Sequence, residues 1–113
     1  MSLVKKDVPT STVDVPVQVP GEKKPSTIQA EWKLHDWPEY RAIADALQAG
    51  EKSDDDVLED LKNITGIKGE DKKDLPFDDE LVSWAMRKTY VRRPLIISWY
   101  AAQEGRSQAA AKN

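Results

Sequence analysis

Val13, Val15, Val17 and Val19 alternate with Asp14, Pro16 and Gln18, a period of two that predicts a β-strand with one buried face. Pro16 cannot donate to a ladder, which restricts this strand to an edge or to a two-stranded element. After the turn-forming PGEKKP at 20–25, Ile28, Ala30, Trp32 and Leu34 alternate with Thr27, Gln29, Glu31 and Lys33. Strands over 11–19 and 26–34 around a Pro-Gly loop make an antiparallel hairpin, with the valines and Trp32 on a common face. A lone hairpin is marginal in water, so that face requires a cover.

The period lengthens after residue 35, and the cover is therefore expected to be helical. Asp36 stands at an N-cap position, Pro38 at the second helical position, and Tyr40, Ile43, Ala44 and Leu47 follow at helical spacing, predicting a helix over 37–49. Ser53 precedes an acidic first turn at Asp54–Asp56, and the stripe Val57, Leu58, Leu61, Ile64 predicts a second helix over 54–65, stopped by Gly66. The polar stretch 67–76 reads as an internal mobile loop. Asp78 opens a third helix over 79–91, lined by Leu81, Val82, Ala85, Met86 and Tyr90, with acids in its first turn and Arg87 and Lys88 in its last turns. Pro94 opens a fourth over 94–104, with Arg93 as its cap, Leu95, Ile96, Ile97, Trp99 and Tyr100 as its apolar body and Gly105 as its stop. The expected architecture is α+β, a hairpin packed against four helices, as a single domain over 11–105 between a flexible lead-in (1–10) and a flexible tail (106–113).

Composition narrows the chemistry. A chain of 113 residues supports one modest core. The formal net charge of -3 argues against a protein whose main partner is a nucleic-acid backbone, while leaving room for a local basic patch. There are no cysteines, which removes disulfides, thiolate metal sites and cysteine nucleophiles. No apolar run approaches the roughly 18 residues of a membrane span. The beginning of the chain also carries no signal-peptide h-region, so a soluble cytosolic protein is expected.

Convergent acid, base or nucleophile groups are not apparent. The lone histidine, His35, sits at the strand-to-helix junction and reads as a surface or capping residue. Asp54, Asp55, Asp56, Glu59 and Asp60 point in different directions around a helix, and no glycine stands where a calcium loop needs one. Gly66 and Gly69 lie in a charged loop rather than after a strand, so no phosphate-binding loop is expected. No catalytic, cofactor or metal residue is assigned, and an enzyme is not expected.

Four tryptophans are many for this length. Most belong in the core, but Trp84 falls off the stripe of its helix and is the one expected to be exposed, and Ile97 falls off the stripe of Ile96, Trp99 and Tyr100. Arg87, Lys88, Arg92 and Arg93 surround the turn between the last two helices. They read either as complements to a helix end or as a docking patch for an acidic peptide or a phosphate backbone. Pairing of that patch with the acidic helix of another copy would give a homo-oligomer. The expected partner-binding set is Trp84, Arg87, Lys88, Arg92, Arg93, Ile97 and Trp99.

The order of these pieces resembles the tail assembly chaperones of long-tailed bacteriophages and prophages. The resemblance spans about 11–113 and is carried by Val15 to Gly21, Leu75 to Leu81 and Trp99 to Asn113, with Tyr100, Gly105, Arg106, Ala109, Lys112 and Asn113 in its ending. Two places depart from it: Ile64-Thr65-Gly66 where the family often has Trp-Gly, and Arg92-Arg93-Pro94 where the turn is usually more neutral. The resemblance implies a non-enzymatic factor of the host cytoplasm, absent from the finished virion. Such a factor coats the tape measure protein, keeps it soluble and helps deliver tail tube subunits, and a frameshifted longer form often continues beyond the chain's end. A nucleic-acid-binding or regulatory phage protein using 87–93, and a structural tail or head-completion subunit, are the alternatives.

Overall fold

Val15 stands opposite Ile28, and Val13 opposite Ala30, in the antiparallel pairing of β1 (Thr10–Val17) with β2 (Ser26–Lys33). Pro20 and Gly21 make the turn beyond β1, where the Glu22 amide donates to the Val19 carbonyl at 3.0 Å. The computed structural model describes residues 2–109. Within them the period-two pattern produces a one-sided sheet. Val13, Val15, Val17, Ile28, Ala30 and Trp32 are buried on one face. On the other face Thr10 donates to Glu31, Gln29 to Asp14 and Thr65 to Gln29.

Among the described residues four helices accompany a three-stranded sheet of order β1-β2-β3, an α+β fold. The third strand replaces most of the helix expected over 54–65. Only Asp54–Val57 is α-helical (α2), Leu58–Asp60 is a single 3-10 turn, and Leu61–Thr65 is β3, antiparallel to β2. The pairing Glu31–Asn63 is followed by Trp32–Leu61, so Lys62 is the extra residue of a bulge. That bulge turns Leu61 and Ile64, three apart, onto the same buried face. A spacing of three that imitates a helical stripe is thus a bulged strand, whose Asn63, Ile64 and Thr65 have lower helix propensity than the Leu61 and Lys62 before them. Gly66 leaves β3 at φ +94, where a Cβ would stand 3.3 Å from the Ile28 Cα.

α1 (Trp37–Gln48) closes one side with Tyr40, Ile43, Ala44 and Leu47, although the Asp36 carboxylate makes no capping hydrogen bond. α3 (Asp79–Arg87) is capped at its start by Asp78, which accepts the Leu81 amide at 2.8 Å. It ends earlier than expected, because Lys88 turns extended (φ -96, ψ 109) and serves as the N-cap of α4 (Thr89–Gln103). Pro94 therefore lies inside α4 rather than at its opening, and Arg93 is not a cap. A proline there removes one backbone hydrogen bond. The helix continues through it because Val91, Leu95, Ile96 and Trp99 are all buried around it.

Glu104 is the C-cap of α4, and Gly105 follows at φ +74. The Gly105 amide donates to Ala102 and the Arg106 amide to Ala101, a Schellman stop that only the left-handed region permits. The chain then returns to the sheet. The Asp14 amide donates to Ser107 at 2.8 Å and the Ala109 amide to Thr12 at 3.0 Å, placing Gln108 opposite Val13 on the outer edge of β1. Where a flexible tail is expected from residue 106, Ser107–Ala109 form an edge segment that occupies otherwise unpaired backbone. Lys112 and Asn113 of the expected tail and chaperone-like ending lie outside the described residues. At the other end, the Pro9 carbonyl accepts the Leu34 amide at 2.9 Å, and the side chains of residues 2–8 are exposed.

Candidate docking surface

Two polar ties fix the elements that carry the surface. His35 Nε2 lies 2.7 Å from Oδ2 of Asp60, and Trp99 Nε1 donates to the same oxygen at 2.9 Å. The backbone amide of His35 donates to Gln103, whose side-chain amide in turn reaches the Lys33 carbonyl. His35 is thus not the surface residue the sequence implies; its side chain is 9% exposed. The ring's Nδ1 faces only Glu39, at 3.9 Å, with no hydroxyl or amine nucleophile hydrogen-bonded to it. The arrangement ties the exit of β2 to α4 and contains no group poised to attack a substrate. Among the described residues no three His, Asp or Glu side chains gather to hold a metal ion. No helix among them is long and apolar enough to cross a membrane.

The second tie concerns Arg92. Its guanidinium pairs with Asp54 at 3.3 Å and Asp55 at 3.8 Å, and also donates to the Met86 carbonyl at the end of α3. The acidic turn and one member of the basic cluster therefore neutralise each other within one chain, and Arg92 leaves the docking set. Trp99 leaves it too: at 0% exposure it stacks on Tyr40 (5.5 Å between centroids) and meets Tyr100 edge-on (4.9 Å). It lies on the inward stripe with Leu95 and Ile96, and the Asp60 carboxylate satisfies its indole N–H.

The remaining residues meet on one side of the molecule. Arg87, Lys88 and Arg93 are exposed and, among the described residues, have no carboxylate within ion-pair distance. Ile97 is 57% exposed on α4, and Trp84 is half-buried on α3. Three hollows run through them. The first, about 580 Å³, lies between the loop at 67–76 and α3 and is lined by Ile67, Leu75, Trp84 and Arg87 among others. The second, about 560 Å³, includes Arg87, Lys88, Tyr90, Arg93, Pro94 and Pro16. The third, about 360 Å³, includes Pro16, Arg93, Pro94, Ile97, Ala101 and Arg106. Arg87 is common to the first two, and Pro16, Arg93 and Pro94 to the last two, so the hollows form one track along α3, across the turn and down α4.

Sequence reasoning missed several participants. Pro16, an edge-strand proline, and Tyr90 and Pro94, placed by the early start of α4, became visible only when the helix boundary moved. Trp37, rather than Trp84, is the most exposed tryptophan, at 65%, with Arg41 over its ring at 5.8 Å. Its spacing from Tyr40 and Ile43 is that of a core residue; its place at the first position of α1, beyond the end of the sheet, keeps it out. Near the same end the Tyr40 hydroxyl donates to Glu104 at 2.9 Å. Burial and that carboxylate hold the Tyr40 pKa above its ordinary value, and the same bond, aided by Arg106, holds that of Glu104 below its own.

No protein-family model matches the chain, and neither a curated protein nor a solved structure is similar to it.

Proposed function

We propose that this chain is a tail assembly chaperone of a long-tailed bacteriophage or prophage. In this reading it is a non-enzymatic factor that binds the tape measure protein, keeps it soluble and helps recruit tail tube subunits in the host cytoplasm. The observation that carries the reading is the track along α3 and α4, where the half-buried Trp84, Tyr90 and Pro94 and the exposed Ile97 lie beside Arg87, Lys88 and Arg93, which have no ion-pair partner among the described residues. A chaperone for a long amphipathic helix needs an open apolar groove of moderate, reversible affinity, and helix-in-groove docking supplies that without nucleotide or metal. The order of elements, from the VPVQVPG strand and turn to the WYAAQEGR stop, supports the same reading.

The test is co-expression with the tape measure protein encoded in the same genome. The expected result is that the tape measure protein, insoluble alone, stays in the soluble fraction and co-purifies with this chain. Persistent insolubility, with no complex recovered, would overturn the reading. Recovery of this chain from purified particles would assign it to the tail structure instead.

A further inference from the structure

Tyr90, Pro94, Ile97 and Ala101 succeed one another along α4 at spacings of four, three and four, the pattern of a single helical stripe. They line the second and third hollows, and Ile97 in the middle of them is more than half exposed. Over this stretch α4 rises about 16 Å, or three turns, at about 1.5 Å per residue. Tyr90 and Pro94 are half-buried and Ala101 is buried, so the stripe stands out at Ile97 and recedes to a shallow floor on either side, a relief into which the ridge of a second helix can pack. The border of the stripe is cationic. Arg87 and Lys88 stand at its upper end and Arg93 beside its centre, whereas Arg106 at its lower end is already paired with Glu104 at 2.9 Å. Among the described residues the one carboxylate lining either hollow is Asp14, which already accepts the Gln29 amide at 3.2 Å.

We infer that the partner segment taken by this surface is an amphipathic α-helix whose apolar stripe is bordered by carboxylates, laid along α4 with its acids over Arg87, Lys88 and Arg93. This deepens the chaperone reading and rests on it, since it specifies which segments of a tape measure protein the chain would hold. Opposite charge across the rim sets orientation and accelerates encounter, while the apolar stripe supplies the buried contact. A phosphate backbone suits the surface less well. It would bury Tyr90, Pro94 and Ile97 against charge, and it would approach a chain carrying 20 acidic residues against 17 basic ones.

The experiment uses fluorescence anisotropy with three labelled probes: a helical peptide of about 20 residues with leucines at helical spacing bordered by glutamates, the same peptide with lysines in place of the glutamates, and oligo-dT. The full chain is expected to bind the glutamate peptide about tenfold or more tighter than the lysine peptide, with the preference fading between about 50 and 300 mM salt. The double variant Arg87→Glu/Arg93→Glu should reverse the preference, and Ile97→Asp should weaken both peptides, each with an unchanged melting temperature. Equal affinity for the two peptides, a preference untouched by the charge reversal, or tighter binding of oligo-dT would overturn the inference. If co-expression keeps the tape measure protein soluble equally well with the wild type and with the double variant, this inference fails while the chaperone reading stands. If the peptide preference holds but the tape measure protein is never held in solution, the chaperone reading fails while the preference for acidic helices stands.

Discussion

The carboxylate of Asp60 is held between two rings, accepting at one oxygen from Trp99 Nε1 at 2.9 Å and lying 2.7 Å from His35 Nε2. These residues come from the turn before β3, from the middle of α4 and from the exit of β2, so a single buried acid joins three elements. Asp60→Ala would leave two buried ring nitrogens without an acceptor and should cost about 2 to 4 kcal/mol in urea unfolding. Asp60→Asn keeps an acceptor oxygen and should cost roughly half as much. An alanine variant within about 0.5 kcal/mol of wild type would show that the junction is not a structural tie.

Trp32 and Ser98 form a comparable pair deeper in the core. The Trp32 indole donates to the Ser98 hydroxyl at 2.8 Å, and that hydroxyl donates to the Leu95 carbonyl at 2.5 Å. Ser98→Ala should cost about 1 to 2 kcal/mol, because the indole N–H is then buried without a partner. Ser98→Thr, which retains the hydroxyl, should recover part of that loss if the added methyl fits. The denaturant midpoints of the two variants compare these directly.

Core and surface separate cleanly on α4. Trp99→Ala removes a wholly buried ring and should cost about 3 to 5 kcal/mol, enough to abolish folding in a small domain. Its effect on partner capture would therefore report unfolding. Ile97→Asp and Arg93→Glu change exposed side chains and should stay within about 0.5 kcal/mol of wild type in thermal unfolding. Loss of partner binding by these two at unchanged stability is the expected signature of a docking surface.

The Tyr40–Glu104 bond gives stability a pH dependence of known sign. Glu104 has its pKa lowered from an ordinary 4.5, first by the Tyr40 hydrogen bond and then by Arg106, so its contribution is present above about pH 4.5 and is lost as pH falls through the lower folded value. Tyr40 has its pKa raised from an ordinary 10.0, first by burial and then by Glu104, so its contribution is present below about pH 10 and is lost as pH rises through the higher folded value. Tyr40→Phe should therefore lower stability by a constant amount between about pH 6 and 8, with the difference shrinking in acid below about pH 4.5. A difference that grows in acid would contradict the bond. Parallel urea titrations across this range provide the measurement.

The hairpin was legible because its period of two has one interpretation: Val13, Val15 and Val17 share one buried face with Ile28, Ala30 and Trp32, as their alternation requires. β3 was not legible, since the bulge at Lys62 places Leu61 and Ile64 at a spacing that also suits a helix, and the backbone edge of β2 that recruits them is a tertiary feature. Pro94 misplaced the start of α4 for a related reason. Local rules put a proline in the first turn, whereas burial of Val91 and Leu95 extends the helix back to Thr89. Of the expected docking residues, Arg87, Lys88, Arg93, Ile97 and Trp84 do lie along one track. Arg92 does not join them because its acidic partners, nearly forty positions away in sequence, become neighbours only in the fold. Trp99 does not because the direction of a side chain on a helix flanked on several sides depends on where those flanks lie.

Docking along α4 can be tested at a single side chain. A benzophenone amino acid placed at position 97, an exposed site on α4, and in a separate protein at position 62, exposed on β3 at the far edge of the sheet from β1, reports by light-induced crosslinking which face meets the tape measure protein. The docking reading predicts a covalent adduct from position 97 and none from position 62. An adduct from position 62 alone, or none from either in a complex that co-purifies, would contradict it.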